Sequence, residues 1–358
     1  MTDRNGTSVP ASRREFLRYA AAGAGAAALG LGAEPFSARA LAKSGLTFFV
    51  WAGVWSDVVK QQAIAPFAKS FPSVSVDLEV GTNAQAYPKM VANKSNPLIV
   101  GGMFNDIFAQ RGLIDNVWRP FDKKLVSNSA AVVPSLNPAG GMGIALSAYP
   151  FAIAYNPKVI AKPTSWTDLW RPAYKGRVAI QDGFYDAFVM AAKVTGHDPN
   201  DVEAGIKAWQ PYKGNIGVWT SGPSQTEDLI DRGEIYLAPH WGPWALAAQA
   251  LGKTIDFVIP KEGATQQTAI MQLAVGFNDQ DTEMAQRFMN LWLTPAYQKV
   301  AMGRGFFGPS IKGVEVPPAL KGKVPTAEEA EKLLLRYDYR RMAENLTAYK
   351  SMVDQMLK

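Results

Sequence analysis

From residue 46 onward the chain alternates two kinds of apolar pattern, and their rhythm predicts strands separated by helices. Residues 46–51 (Leu-Thr-Phe-Phe-Val-Trp) form an apolar run of β-formers, the pattern of a buried strand. Residues 56–71 then place Val58, Val59, Ala63, Ile64 and Phe67 at helical spacing, and Phe71-Pro72 ends the helix. Residues 74–80 alternate as a second strand and residues 84–94 read as helical. Leu98-Ile99-Val100 forms a short buried strand ahead of Gly101-Gly102. This order predicts an α/β fold with a mostly parallel sheet and helices on both faces.

A second series of the same kind follows. Strands are expected at 144–155, 177–181, 234–239, 254–260 and 268–277. Helices are expected at 165–170 (with a Ser165…Asp168 capping pair), 186–195, 224–232 stopped by Gly233, 244–251 closed by Gly252, and 281–293. Residues 326–358 carry Leu333, Leu334, Met342, Leu346, Tyr349 and Val353 on one side of a helical pattern. The length exceeds one typical core, and no low-complexity linker divides it. Two lobes joined by crossing strands are therefore expected: 43–150 with 257–312 as one lobe, 151–256 as the other, and 313–358 as a C-terminal helical segment.

The N-terminus reads differently. Ser12-Arg13-Arg14-Glu15-Phe16-Leu17 precedes a soft Ala/Gly-rich apolar run, the pattern of a twin-arginine export signal over residues 1–42. Residues 20–31 are too few to span a bilayer, which takes ~20 apolar residues. Small-residue cleavage patterns stand at Ala38-Arg39-Ala40 and Ala40-Leu41-Ala42. The expected location is the periplasm, with the twin-arginine translocase a partner during export. Gly23-Ala24-Gly25-Ala26-Ala27-Ala28 matches a dinucleotide-binding fingerprint, but no strand precedes it and the match is discarded.

Removing the signal takes away Arg4, Arg13, Arg14, Arg18 and Arg39 against Asp3, Glu15 and Glu34, so the formal net charge of +6 falls by two. That mild excess, without a basic cluster, gives nucleic acid nothing to bind. With no cysteine and only His197 and His240, no metal or cofactor is expected. Ten tryptophans and twelve tyrosines suit both a core and an aromatic-walled cleft.

Three stretches carry a family likeness: Ala154-Tyr155-Asn156-Pro157, Pro163-Thr164-Ser165-Trp166-Thr167-Asp168-Leu169-Trp170, and Tyr174-Lys175-Gly176-Arg177-Val178-Ala179. With Asp256-Phe257-Val258-Ile259-Pro260-Lys261-Glu262-Gly263-Ala264 and Leu335-Arg336-Tyr337-Asp338-Tyr339, they resemble the solute-binding proteins of ABC importers, in the spermidine/putrescine-binding subgroup. The resemblance implies a type II periplasmic-binding-protein fold, with two α/β lobes closing over a solute. It also implies a monomer that delivers its solute to an ABC-transporter membrane permease.

In open α/β sheets, ligands sit beyond the carboxyl ends of the strands. That rule selects Trp51 and Trp55, then Asn105 and Asp106, then Asp182, Phe184, Tyr185 and Asp186, then Trp219 and Ser221, then Trp241 and Trp244. Trp51 could equally cap the lobe core, and Asp182 or Asp186 could cap the following helix. Trp241 is the strongest candidate; its truncation to alanine is expected to abolish binding and spare the fold. His240 reads as loop support.

The chain departs from the polyamine pattern implied by the resemblance. Trp241 matches a stacking tryptophan, but Trp244 follows where polar or acidic residues are usual. Ile270-Met271-Gln272 stands where an acid is expected, which places Gln272 among the candidates, and Asp186 is the one family acid that survives. Burying ammonium groups without paired carboxylates costs several kcal/mol each, which disfavours a classical polyamine. A single or quaternary amine boxed by tryptophans, or a neutral or aromatic solute, remains. An organic anion clamped by Arg304, on a loop before Phe306-Phe307, also stays open.

Two further classes find less support. A secreted cofactor-free enzyme on the same scaffold would need a nucleophile elbow, a thiol or a metal cluster, and none is present. A ferric site would need clustered tyrosines, and Tyr337 and Tyr339 stand on a charged terminal segment, a poor place for one.

Overall fold

The computed structural model describes residues 45–138 and 140–357, so the expected export signal lies outside the described residues. The chain opens with strand β1 (Gly45–Trp51), helices α1 (Val54–Val59) and α2 (Ala65–Ser70), strand β2 (Ser75–Gly81) and helix α3 (Asn83–Ala92). Strand β3 (Gly101–Phe104), helix α4 (Asp106–Ile114) and strands β4 (Trp118–Arg119) and β5 (Ile144–Tyr155) follow. The middle of the chain supplies strand β6 (Val178–Gln181), helices α5 (Asp186–Val194) and α6 (Val202–Trp209), strand β7 (Ile216–Thr220), helix α7 (Pro223–Asp231), strand β8 (Leu237–Trp241) and helix α8 (Gly242–Ala250). Strands β9 (Asp256–Val258) and β10 (Ala264–Ala274), helices α9 (Asp279–Asn290), α10 (Pro295–Gly305) and α11 (Ala327–Leu333), strand β11 (Leu334–Leu335) and helix α12 (Tyr339–Leu357) complete it.

The sheet order is β2-β1-β3-β10-β5-β8-β6-β7. In the first lobe β1 is parallel to both β2 and β3, and in the second β6 is parallel to β7 and β8. Strands β5 and β10 join the two halves. The first part of β5 pairs antiparallel with β10, and its last five residues pair with β8. β10 in turn reaches β3 through Ile270–Leu273. All twelve residues of β5 and all eleven of β10 are buried, as crossing strands covered on both faces must be. The fold is thus the expected two-lobed α/β architecture. Phe48, Phe288 and Trp292 pack together beside β1, and Phe188 packs on Trp209 between α5 and α6, all within one continuous core. Each fully buried ring contributes about 1.5–3 kcal/mol by removing apolar surface from water.

Several elements differ from the sequence pattern for identifiable reasons. The helix expected at 56–71 is interrupted by a π-helical turn at Lys60–Ile64, just ahead of Pro66. Proline has no N–H to give to the preceding turn, and the wider turn accommodates it. The strand expected at 98–100 forms instead at Gly101–Phe104, where Phe48 and Phe49 pair with Gly101 and Gly102. A Cβ on Gly102 would stand 2.2 Å from the Phe49 carbonyl oxygen, so the glycines permit the pairing and do not end it. Helices α4, α6 and α10 have no counterpart in the predicted elements. The single helix expected over 326–358 is split by β11, whose Leu334 and Leu335 pair in parallel with Ala264 and Thr265. Among the described residues, no helix is long and apolar enough to cross a membrane.

Candidate functional site

Two carboxyl groups arrive at one place from opposite lobes. Asn105 ends β3 and caps α4, its Oδ1 accepting from the Phe108 N–H at 3.1 Å. That cap fixes Asp106 as the first helical residue, only 3 % exposed. From the second lobe, the turn after β6 delivers Phe184, Tyr185 and Asp186, the last opening α5 and only 2 % exposed. Both aspartates therefore sit in the first turn of a helix, where the aligned peptide dipoles favour the charged form.

Burial acts the other way and wins. Asp106 accepts the Thr268 N–H through Oδ2 at 2.8 Å, whereas its buried Oδ1 has no partner. Loss of hydration pushes Asp106 up to about 7, against the opposing field of Arg336 and the Thr268 bond. Asp186 Oδ1 accepts from Gln267 Nε2 at 2.9 Å and Tyr337 Oη at 3.1 Å. Burial still pushes it up to about 6. Asn105, Asp106, Phe184, Tyr185 and Asp186 share one small cavity of about 20 Å³ with Gln267, Tyr337 and Tyr339. That space suits one water-sized or ammonium-sized group.

The tryptophans form a chain of ring contacts running from lobe to lobe. Trp51 meets Trp55 edge-on at 6.2 Å, and Trp55 packs on Phe307 at 4.7 Å. Phe306 turns the chain through a left-handed conformation (φ 62°), and Phe307 follows it into contact with Tyr149 at 5.1 Å and Trp244 at 5.6 Å. Trp244 contacts Trp241 at 5.7 Å, and Trp241 meets Phe184 edge-on at 4.5 Å. Phe184 thus connects the aromatic chain to the carboxylate cavity. Tyr149 connects them as well. It lies opposite Gln267 across the β5–β10 pair, which places both side chains on one face.

A third group lies on the other side of Tyr185. Asp182, Tyr185, Trp219 and Ser221 line an open groove of about 320 Å³ with Lys350, Val353, Asp354 and Leu357 of α12. Lys350 Nζ stands 3.9 Å from Asp182, and both are exposed. Ser221 uses its N–H and hydroxyl on Gln225 Oε1 at 2.8 and 3.0 Å.

Of the thirteen residues selected from sequence, twelve fall into these three adjoining groups. Gln272 does not: it lies in the first-lobe sheet opposite Gly102, its amide atoms buried without a partner. Arg304 is not on a loop. It occupies the last turn of α10 and points to Asp57 at 3.5 Å and Gln61 at 3.2 Å, away from the aromatic chain. His240 is fully buried, with Nε2 3.4 Å from Glu227, in keeping with a supporting role.

The sequence reading missed Tyr149, Gln267, Phe307, Tyr337 and Tyr339. The two terminal tyrosines, expected on a peripheral charged segment, are buried in the site. β11 pairs with β10, and the chain leaving β11 lays both rings over that strand, 4.2 Å apart. Tyr339 donates to the Gln266 carbonyl. Burial and the neighbouring carboxylates hold both phenols well above the usual range, so they act as neutral donors. Their i, i+2 spacing was the available signal, since it puts both rings on one side of an extended segment.

Comparison with known proteins finds relatives for the chain and its fold. The family model described as bacterial extracellular solute-binding protein matches residues 62–328. The spermidine/putrescine-binding periplasmic protein of Escherichia coli (strain K12) is 26% identical over 304 residues, covering 80% of this chain and 83% of its own. A solved ABC transporter structure from Clostridium perfringens ATCC 13124 superposes with a TM-score of 0.75 at 21% identity, covering 87% of this chain and 100% of that one. The spermidine/putrescine ABC transporter substrate-binding protein of Streptococcus pneumoniae, in complex with calcium and HEPES, gives 0.73 at 15% identity, covering 88% and 100%.

Proposed function

The chain belongs to the bacterial extracellular solute-binding protein family, and from that premise we propose that it is a periplasmic receptor capturing a small organic cation between its lobes. It works as the substrate-binding component of an ABC transporter, handing the solute to a membrane permease, and is not an enzyme. Export through the twin-arginine route accounts for Arg13-Arg14 ahead of the apolar run.

One observation carries the cationic solute: Asp106 and Asp186 reach the same cavity from opposite lobes. Two buried carboxylates without a counter-ion are costly, and among the described residues neither forms an ion pair. Arg336, the nearest cationic influence on Asp106, directs its guanidinium to the carbonyls of Ser135 and Asn137. A solute ammonium would satisfy the unpartnered Asp106 Oδ1 and draw the lobes together. The carbon frame would then lie along Phe184, Trp241 and Trp244, whose π-faces favour an alkylammonium.

The amine branch of the sequence reading is therefore favoured over the neutral, aromatic and anionic ones. Asp186, the one acid that the family resemblance keeps, shares its cavity with Asp106, so two carboxylates are available to pair with a polyamine's ammonium groups. The Escherichia coli relative is named for spermidine and putrescine, which makes diamines natural first probes.

A thermal-shift screen of amines, betaines, organic acids and sugars, backed by tryptophan fluorescence, tests the proposal. Amines are expected to raise the melting temperature and alter the fluorescence without being consumed over hours. Stabilisation by a sugar or an organic acid and by no amine would overturn it.

A further inference from the structure

We propose that Asp106 carries a proton in the empty receptor and exchanges it for the solute's ammonium group, so that capture releases a proton to solvent. The inference rests on the cationic-solute reading above and adds a mechanism of selection to it.

The two acids of the site are not equivalent. Asp186 Oδ1 receives donors from two side chains, Gln267 and Tyr337, which support its anionic form. Asp106 accepts the Thr268 N–H on Oδ2, with the Thr268 side chain and its own backbone also favouring the anion, while its Oδ1 is buried without a hydrogen-bond partner in the protein. An anion in that setting keeps an unsatisfied lone-pair face inside the protein, which low dielectric makes expensive. Protonation removes the charge when the cavity is empty, and an ammonium removes the need for protonation.

The groups facing Asp106 allow this exchange. Tyr149 on β5 and Tyr337 and Tyr339 from the C-terminal chain stay neutral, each raised by burial and by the two carboxylates. Asp186 on α5 borders the same cavity with like charge, and Arg336 supplies the opposing field. Burial prevails, leaving Asp106 with a value of about 7. In the exchange the Asp106 O–H bond breaks, the proton leaves to bulk water, and the carboxylate pairs with an ammonium that stays protonated. A neutral isostere cannot drive this step, so it binds, if at all, without the gain that the exchange gives an ammonium.

The test is isothermal titration calorimetry of the exported receptor with 1,4-diaminobutane and with choline, in phosphate and in Tris buffer. At pH 7 the buffer-dependent heat is expected to report release of about half a proton, mostly from Asp106, and at pH 6 about one from Asp106 with a further part from Asp186. Apparent affinity should fall up to tenfold per pH unit below that range. Asp106→Asn should bind more weakly and, at pH 7, release only the small fraction of a proton that Asp186 still holds. In the empty receptor, a side-chain carboxyl ¹³C resonance titrating near neutral pH should vanish in that variant. Amine binding with equal heats in both buffers overturns the exchange and leaves the receptor reading intact. Failure of both amines to bind overturns both.

Discussion

Tyr337 Oη donates a 3.1 Å hydrogen bond to Asp186, and this contact stitches the C-terminal chain to the helix that opens the second-lobe side of the site. Both partners are buried. Tyr337→Phe leaves Asp186 with Gln267 as its side-chain donor on Oδ1 and should cost about 1–3 kcal/mol, the range for a buried group losing a bond to a charged partner. Urea denaturation measures it. The same variant should bind amines more weakly, because a less readily ionised Asp186 pairs less well with an ammonium.

Trp241→Ala is expected to damage both binding and fold. The sequence reading separated the two, but Trp241 is only 6 % exposed and packs on Phe151, Phe184 and Trp244. Truncating a buried tryptophan costs about 3–5 kcal/mol. Trp244 is half-buried, and its truncation should spare more stability while still weakening capture. Comparing unfolding midpoints and affinities of the two variants separates solute contact from core packing.

Stability of the empty receptor should fall as pH rises. Asp106 and Asp186 have folded values near 7 and 6, above the unfolded value of 3.8, so the folded state holds their protons more tightly. Their contribution is fully present below about pH 4 and is lost as pH climbs through 6 and 7. The difference amounts to a few kcal/mol as an order of magnitude. Asp106→Asn and Asp186→Asn should each flatten the profile of melting temperature between pH 5 and 8. Unchanged profiles in both variants would show that these carboxyls ionise normally in the folded protein.

Asp182→Asn should leave amine affinity within about threefold of wild type, since exposed charges interact weakly across water. Asp182 is exposed, and its nearest cation, Lys350, lies 3.9 Å away. Asp106→Asn should lose far more. Equal losses at the two positions would move the solute toward the groove beneath α12.

The two-lobed architecture was legible because strand and helix periods alternate cleanly, as in residues 46–51 followed by Val58, Val59, Ala63, Ile64 and Phe67. Helix α4 was not, although Asn105 caps it, because its apolar face is weak and Gly112 sits inside it. That glycine admits the Trp118 indole, a long-range contact invisible in local pattern. The rule of strand carboxyl ends selected Asp106 and Asp186 but could not show that they share a cavity. Tyr337 and Tyr339 escaped for a related reason. Their position depends on β11 pairing with residues some seventy places earlier in the chain. Gln272 was selected because it stands where the resemblance expects an acid, and β10 carries it away from Gln267 by five residues, about 17 Å along a strand.

An organic cation held where Asp106 and Asp186 meet would be visible in a crystal structure of the receptor with 1,4-diaminobutane. The expected result is an amine nitrogen within hydrogen-bond distance of Asp106 Oδ1 and close to Asp186, with the carbon chain against Phe184 and Trp241. Diamine density confined to the groove lined by Asp182, Trp219 and Lys350, with the carboxylate cavity empty, would contradict it.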